Sequence, residues 1–224
     1  MRNDIKERLQ GVLSHLPQDV SLVAVSKYHP TDQLMAAYEA GQRLFGESHV
    51  QELRQKQPLL PADVEWHFIG HLQTNKVKYI APYIGMVDAV DSMRLLAEIH
   101  RQAARCNRVI DVLLELHVAQ ETTKYGLTLD DCRRLLDDGQ WRELDHVRIC
   151  GLMMMASNTD DQEQISREFD LAHSFFDEVK RKHFAQSDYF RVRSWGMSHD
   201  YRIAVAHGAN MVRVGTSIFG ERQY

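Results

Sequence analysis

The chain is poor in the features that would settle its class at a glance. Its three cysteines, Cys106, Cys132 and Cys150, form no C-x-x-C pair. An odd count without metal-ligand spacing suits a reducing compartment. No apolar run approaches the roughly 18 residues of a membrane-spanning helix, so no membrane is expected. Lys and Arg number 27 against 31 Asp and Glu, a net charge of −4. This excludes a broad basic field, and nucleic acid is not an expected partner. The short basic cluster 180–183, "KRKH", reads as a solvated helix end. No G-x-G-x-x-G follows the first strand-like run, and no G-x-S-x-G occurs anywhere. The N-terminal stretch "MRNDIKERLQGVLSHL" is too interrupted by charge for a signal peptide. Its Ile5, Leu9, Val12, Leu13 and Leu16 have helical spacing instead. The expectation is a cytoplasmic protein that opens with an amphipathic helix.

What the sequence does have is alternation. Apolar residues make up 44% and charged residues 26% of 224 residues, enough to build a full core without disulfides. Eight strand-like runs occur, at 21–26, 43–48, 66–70, 86–91, 111–118, 147–155, 189–197 and 211–216. Helical patterns lie between them. One starts at a Thr31/Asp32 cap signal, and one follows Ser92. A third ends at Gly139, a fourth carries Ile165, Phe169, Ala172, Phe176 and Val179 on one face, and a fifth closes at Gly208. Strict β–α alternation with near-continuous apolar strands predicts a parallel sheet covered on both faces. Eight units averaging 28 residues fit a compact (β/α)8 barrel of TIM type with an extra N-terminal helix. An open doubly wound sheet is the alternative. No linker or low-complexity segment divides residues 1–224, so a single domain is expected.

In such a barrel chemistry sits at the C-terminal ends of the strands. The polar residues there are Lys27, Ser48, His71, Asp91, His117, Ser198, Arg213, Gly215 and Thr216. Lys27 shares its strand parity with Val23 and Val25. It reads either as a snorkelling surface cation or as a desolvated amine able to attack a carbonyl. Ser198 precedes a helix near His199, as a simple N-cap or as part of an anion site. Arg213 faces opposite to Val212 and Val214, a costly inward placement without a partner. Gly215 lets a ligand approach the backbone, and Thr216 adds a hydroxyl. Barrels often bind phosphate after their last two strands, where Ser198 and Gly215-Thr216 stand. An aldehyde bearing a phosphate would satisfy Lys27 and this cup together. His67 and His71 share a strand face without a third ligand nearby, so no metal is expected. Met153 to Met155 read as packing residues, and Glu121 with Lys124 as a pair in a loop.

The motifs "VAVSKYHP", "FGESHVQE", "WHFIGHLQTNK", "GLM", "WGMSHD" and "VRVGTSIFG" occur in this order from about Ser21 to Gly220. In them the chain resembles the YggS/PROSC family of pyridoxal phosphate homeostasis proteins, which is similar in turn to the barrel domain of bacterial alanine racemase. The resemblance implies that Lys27 forms a Schiff base with pyridoxal 5′-phosphate (PLP). It implies phosphate ligands at Ser198, Gly215 and Thr216, a further contact at Ser48, and Arg213 facing the pyridine nitrogen. A permanent cation there keeps that nitrogen unprotonated and makes the ring a weaker electron sink. The chain departs from the common family pattern at Tyr28, Ser48-His49 and His117, and "GLMMMAS" lacks the usual prolines.

The implied role is PLP binding for intracellular PLP homeostasis, without robust turnover. Implied partners are PLP and apo forms of PLP-dependent enzymes. An amino-acid racemase is the alternative. It needs a second acid/base opposite the lysine, supplied in racemases by a tyrosine from a C-terminal domain. Tyr224 follows Gly220 by four residues, so that domain is expected to be absent, and Tyr28 or His117 would have to substitute. A lysine-dependent sugar-phosphate aldolase is the third reading. Without the racemase's second domain and its dimer contacts, a monomer is expected.

Overall fold

The computed structural model describes residues 2–118 and 125–221. Eight parallel strands close into a barrel in sequence order. They are β1 (Ser21–Val25), β2 (Leu44–Glu47), β3 (Glu65–Phe68), β4 (Met86–Val90), β5 (Ile110–Leu116), β6 (Val147–Met154), β7 (Val192–Ser194) and β8 (Met211–Val214). Closure is made by β1 on β8, with Val23 opposite Arg213. The helices form the outer ring: α1 (Arg2–Leu13), α2 (Thr31–Glu39), α3 (Val50–Lys56), α4 (Met93–Arg105), α5 (Leu129–Asp138), α6 (Gln162–His183), α7 (Tyr201–Ala206) and α8 (Thr216–Phe219). The extra N-terminal helix packs on α2 and α8. Ile5, Leu9 and Val12 are buried, but Leu13 turns to solvent at 42% exposure.

Alternation within each strand sorts residues between two cores. On β5, Ile110, Val112, Leu114 and Leu116 join the large cluster between strands and helices, while Leu113 joins a small interior cluster with Met86, Ala89, Cys150 and Met153. Met154 packs in the outer layer and Met153 inside, as packing residues should. Gly151 lets β7 approach, since a Cβ there would lie 1.9 Å from the Val192 carbonyl oxygen.

Several helix ends follow their sequence signals. Ser92 Oγ accepts from the Leu95 N–H at 3.3 Å. Asp161 Oδ1 accepts from the Glu163 and Gln164 N–H groups at 3.0 Å. Gly139 ends α5 with φ 78°. The cluster 180–183 forms the last turn of α6, where cations suit the helix dipole. Two expectations need correction. Pro30, not Thr31, precedes α2, and no side chain caps it. The strand expected over 189–197 shrinks to Val192–Ser194, because Phe190 leaves the barrel to stack on Phe184 and Phe176 at 4.2 and 4.8 Å. The expected Glu121–Lys124 pair lies outside the described residues. Among the described residues, no helix is long and apolar enough to cross a membrane, and no cluster of three His, Cys, Asp or Glu side chains could hold a metal.

Candidate functional site

A cavity of about 290 Å³ opens at the C-terminal ends of β1 and β8. Lys27, Ser198, Arg213, Gly215 and Thr216 all line it, with Val25 as its apolar wall on β1. Residues far apart in sequence meet here because β1 closes the barrel on β8. Ile69, Met155, Asn158, Met197 and His199 complete the wall. Met155 thus serves the cavity, whereas Met153 and Met154 only pack.

Arg213 forms the charged floor. It is 4% exposed. One guanidinium nitrogen donates to the Ser194 carbonyl at 2.6 Å and to Ser194 Oγ at 2.7 Å, and the other to the Met154 carbonyl at 2.8 Å. These neutral acceptors fix the cation without neutralising it. Burial holds its pKa below the usual arginine value, while the charges of Asp88, Asp200 and Glu115 act against that shift. Asp88 and Glu115 are buried polar members of β4 and β5. Burial, then the Asp91 charge, pushes the Glu115 carboxyl up to about 7 against the pull of Arg213. His67 Nδ1 stands 2.9 Å from Asp88 Oδ1 but forms no aligned hydrogen bond with it. His67 is therefore an interior residue beside Asp88, and His71 pairs elsewhere.

The opposite wall is built from backbone. Of the two readings of Ser198, cap or anion site, the cap is not the one seen: Asp200 takes that place, and α7 starts at Tyr201. The buried Asp200 carboxylate instead accepts from the Met197 N–H at 2.5 Å. Ser198 Oγ accepts from the Gly215 N–H at 3.1 Å, joining the loop after β7 to the loop after β8. This frees the turn at Gly196 from any need for a serine cap. Gly196 has φ 93°, and a Cβ there would meet Ala204 Cβ at 2.6 Å. Among the described residues, the N–H groups of Ser198, His199, Thr216 and Ser217 donate to no protein acceptor. Four donors at two adjoining helix starts, with two hydroxyls, suit a phosphate.

The other expected residues lie elsewhere. Ser48 and His71 line a second groove of about 680 Å³, between α3 and the 3-10 turn Thr74–Tyr79, with Arg54 and Lys76. The larger groove does not contain Lys27, and its lining is mostly exposed side chains, so size does not mark the reactive site here. Ser48 does not line the Lys27 cavity, and its backbone packs under Gly70, where a Cβ would lie 2.7 Å from the Ser48 carbonyl oxygen. His71 Nδ1 is 3.1 Å from Asp91 Oδ2, and its ring stacks on Tyr125 at 4.1 Å. The His117 N–H donates to the Leu127 carbonyl at 2.8 Å, tying β5 to the next segment. Neither Tyr28 nor His117 lines the Lys27 cavity.

Inspection of strand ends missed the groups behind β1 and β2. Lys56, Glu47 and Glu52 converge there, with Lys56 Nζ 2.8 Å from Glu47 and 2.6 Å from Glu52. Their only signal in the sequence was the i, i+4 spacing of Glu52 and Lys56.

Comparison with known proteins places these features. The profile of the family described as "Alanine racemase, N-terminal domain" matches residues 2–223. A relative named pyridoxal phosphate homeostasis protein, from Aquifex aeolicus, is 36% identical over 91% of this chain and 87% of its own length. The structure of PipY from Synechococcus elongatus superposes with TM-score 0.90 at 36% identity without PLP, and 0.87 at 35% identity with PLP bound. Both matches cover 96% of this chain and 100% of PipY. An alanine racemase from Bartonella henselae shares the fold, with TM-score 0.74 at 17% identity, across 100% of this chain and 61% of the enzyme. The whole-length match to the family profile, and the identity to relatives named pyridoxal phosphate homeostasis protein over most of the chain, show that the chain belongs to the alanine racemase N-terminal domain family and, within it, to the pyridoxal phosphate homeostasis proteins.

Proposed function

We propose that this protein holds pyridoxal 5′-phosphate reversibly and serves PLP homeostasis rather than turning over a substrate. One observation carries the reading. A single cavity brings together a half-buried lysine, a buried arginine and the backbone N–H groups of Ser198, His199 and Thr216, which have no protein acceptor among the described residues. When bound, PLP supplies a phosphate dianion and an aldehyde that condenses with a primary amine, a C=N bond forming as water leaves. Lys27 Nζ provides the amine. The N–H groups and hydroxyls around Ser198, Gly215 and Thr216 hold the phosphate. Arg213, fixed by Ser194 and Met154, would stand by the ring nitrogen and keep it unprotonated. Ser48, in the adjoining groove, takes no part in the cup.

The racemase reading requires an acid/base across from Lys27. Tyr28 turns away, its hydroxyl 3.5 Å from His49 Nε2, and His117 stands outside the cavity, which favours holding over turnover. On this reading the chain acts as one barrel domain and as a cytoplasmic monomer, and it passes PLP to apo enzymes.

The test is reduction of the PLP-loaded protein with borohydride, followed by peptide mass spectrometry. The adduct is expected on Lys27 and absent in Lys27→Ala; an adduct on another lysine overturns the assignment. Incubation with single enantiomers of several amino acids is expected to leave them unchanged, and racemisation at ordinary enzymatic rates sinks the non-catalytic reading.

A further inference from the structure

Lys27 does not sit on a strand. It occupies a corner of a four-residue turn, closed by the His29 N–H donating to the Ser26 carbonyl at 3.1 Å. The next corner is Tyr28, with φ 67°. That is the left-handed conformation a type II turn asks of its third residue, where glycine or asparagine is usual. A bulky aromatic residue there is disfavoured and persists only when its surroundings impose it.

The surroundings do so with charge. Glu52 Oε1 accepts from the Tyr28 N–H at 2.6 Å. Lys56 Nζ donates to the same oxygen at 2.6 Å, to the Ser26 carbonyl at 2.7 Å and to Glu47 Oε1 at 2.8 Å. Ser26 Oγ also donates to Glu47 Oε1 at 2.6 Å. The residues before and after Lys27 are therefore both tied to one buried ion cluster. The side chains of Lys56 and Glu47 are 7% and 0% exposed, and that of Glu52 is 20% exposed. Buried ion pairs rarely add net stability over a packed apolar core, and their best-attested use is to specify one geometry. Here the geometry specified is that of the turn carrying Lys27.

We propose that Lys56 and Glu52, braced by Glu47, are positioning residues that lock the Ser26–His29 turn so that the Lys27 amine is presented to the cavity. This rests on Lys27 being the amine that takes PLP. Lys56 is the unreactive member of the pair: its three donors are all committed to acceptors behind the strands. The cluster also accounts for Tyr28, whose backbone is held by Glu52 while its ring packs against His49 at 5.2 Å.

The test separates capture from docking. Two quantities are measured on the full chain: the rate of borohydride-trappable PLP attachment at Lys27, and the Kd of pyridoxine 5′-phosphate, which keeps ring and phosphate but has no aldehyde. Lys56→Met strands the buried Glu47 carboxylate and threatens folding, so Glu52→Ala, which leaves the Lys56–Glu47 pair in place, carries the test. Glu52→Ala is expected to slow capture about tenfold, as small misplacements of a reacting group do, while the Kd of the analogue stays within about twofold. Glu52→Gln keeps an oxygen for the Tyr28 N–H and is expected to recover most of the rate. Capture by Glu52→Ala at the wild-type rate overturns the proposal. So does an equal loss of capture and analogue binding, which marks general loosening. A wild-type protein with no adduct at Lys27 overturns the cofactor reading itself, and this inference with it.

Discussion

The two walls of the Lys27 cavity are held in place by different physics. Behind β1 and β2 the wall is ionic: a buried ammonium grips two carboxylates and the Ser26 carbonyl. After β7 and β8 the wall is mainly backbone, with one buried carboxylate, Asp200, bonded to the Met197 N–H. There Gly196 allows the tight turn, Ser198 Oγ accepts from the Gly215 N–H, and among the described residues the N–H groups of Ser198, His199, Thr216 and Ser217 donate to no protein acceptor. The contrast fits what the proposed function asks of each wall. A wall that presents a single amine needs one fixed geometry, which directional buried charge enforces. A wall that receives an anion must keep its donors uncommitted, so it is shaped by small residues and backbone bonds. The floor between them, with Arg213, Asp88 and Glu115, belongs with the ionic wall.

Four measurements sharpen or break this comparison. Lys56→Met should cost most, about 3–5 kcal/mol in urea unfolding, because the Glu47 carboxylate is left buried and unpaired. A loss below about 1 kcal/mol would show that the β1 wall is not held by charge.

The floor should be sensitive to pH. Glu115 is raised from 4.5 to about 7, first by burial and then by Asp91. Between those values the folded protein keeps a proton that the unfolded chain has released. The stability this carboxyl contributes is present below about pH 4.5 and is lost as pH rises through about 7. Glu115→Gln carries no such charge and should gain on the wild type across that window by up to about 3 kcal/mol. A stability difference that stays flat with pH contradicts the ionic floor.

Gly196→Ala probes the backbone wall. With φ 93° and Ala204 Cβ 2.6 Å from the added methyl, we expect a loss of about 1–3 kcal/mol, with no dependence on salt or pH. A salt-dependent loss would undo the distinction between the walls. Ser198→Ala should have the smallest effect on the unliganded protein, about 1 kcal/mol for one neutral hydrogen bond, with weaker PLP binding read by equilibrium dialysis. Unchanged binding removes Ser198 from the cup.

Much of this was legible in the sequence because it depends on local pattern. Strand–helix alternation predicted the barrel, and strand parity put Arg213 inside; the parity argument for Lys27 does not apply, because β1 ends at Val25 and Lys27 lies in the turn beyond it. Ser92 and Gly139 marked their helix ends. The misreadings share one cause. Ser198 precedes a helix and could read as a cap, but of its two readings that one fails, because its hydroxyl bonds a residue 17 positions away. Ser48 looked like a wall of the site because its strand ends there, yet its backbone packs under Gly70 and the side chain faces another groove. Strand β7 was overextended because Phe190 and its neighbours are apolar for the sake of the helix layer.

The sequence by itself determined the architecture and put Lys27, Ser198, Arg213, Gly215 and Thr216 forward as the candidate site, since alternation, strand-end position and specific motifs are written along the chain. Only the tertiary structure decided how Lys27 is held. Lys56 reaches Ser26 across 30 residues and Glu47 across nine, and both bonds exist only because α3 folds back behind β1 and β2. Buried charge must find partners wherever the fold brings them, so such a cluster has no linear signature. Tyr28, odd in the sequence and strained in the structure, is the point where the two accounts meet.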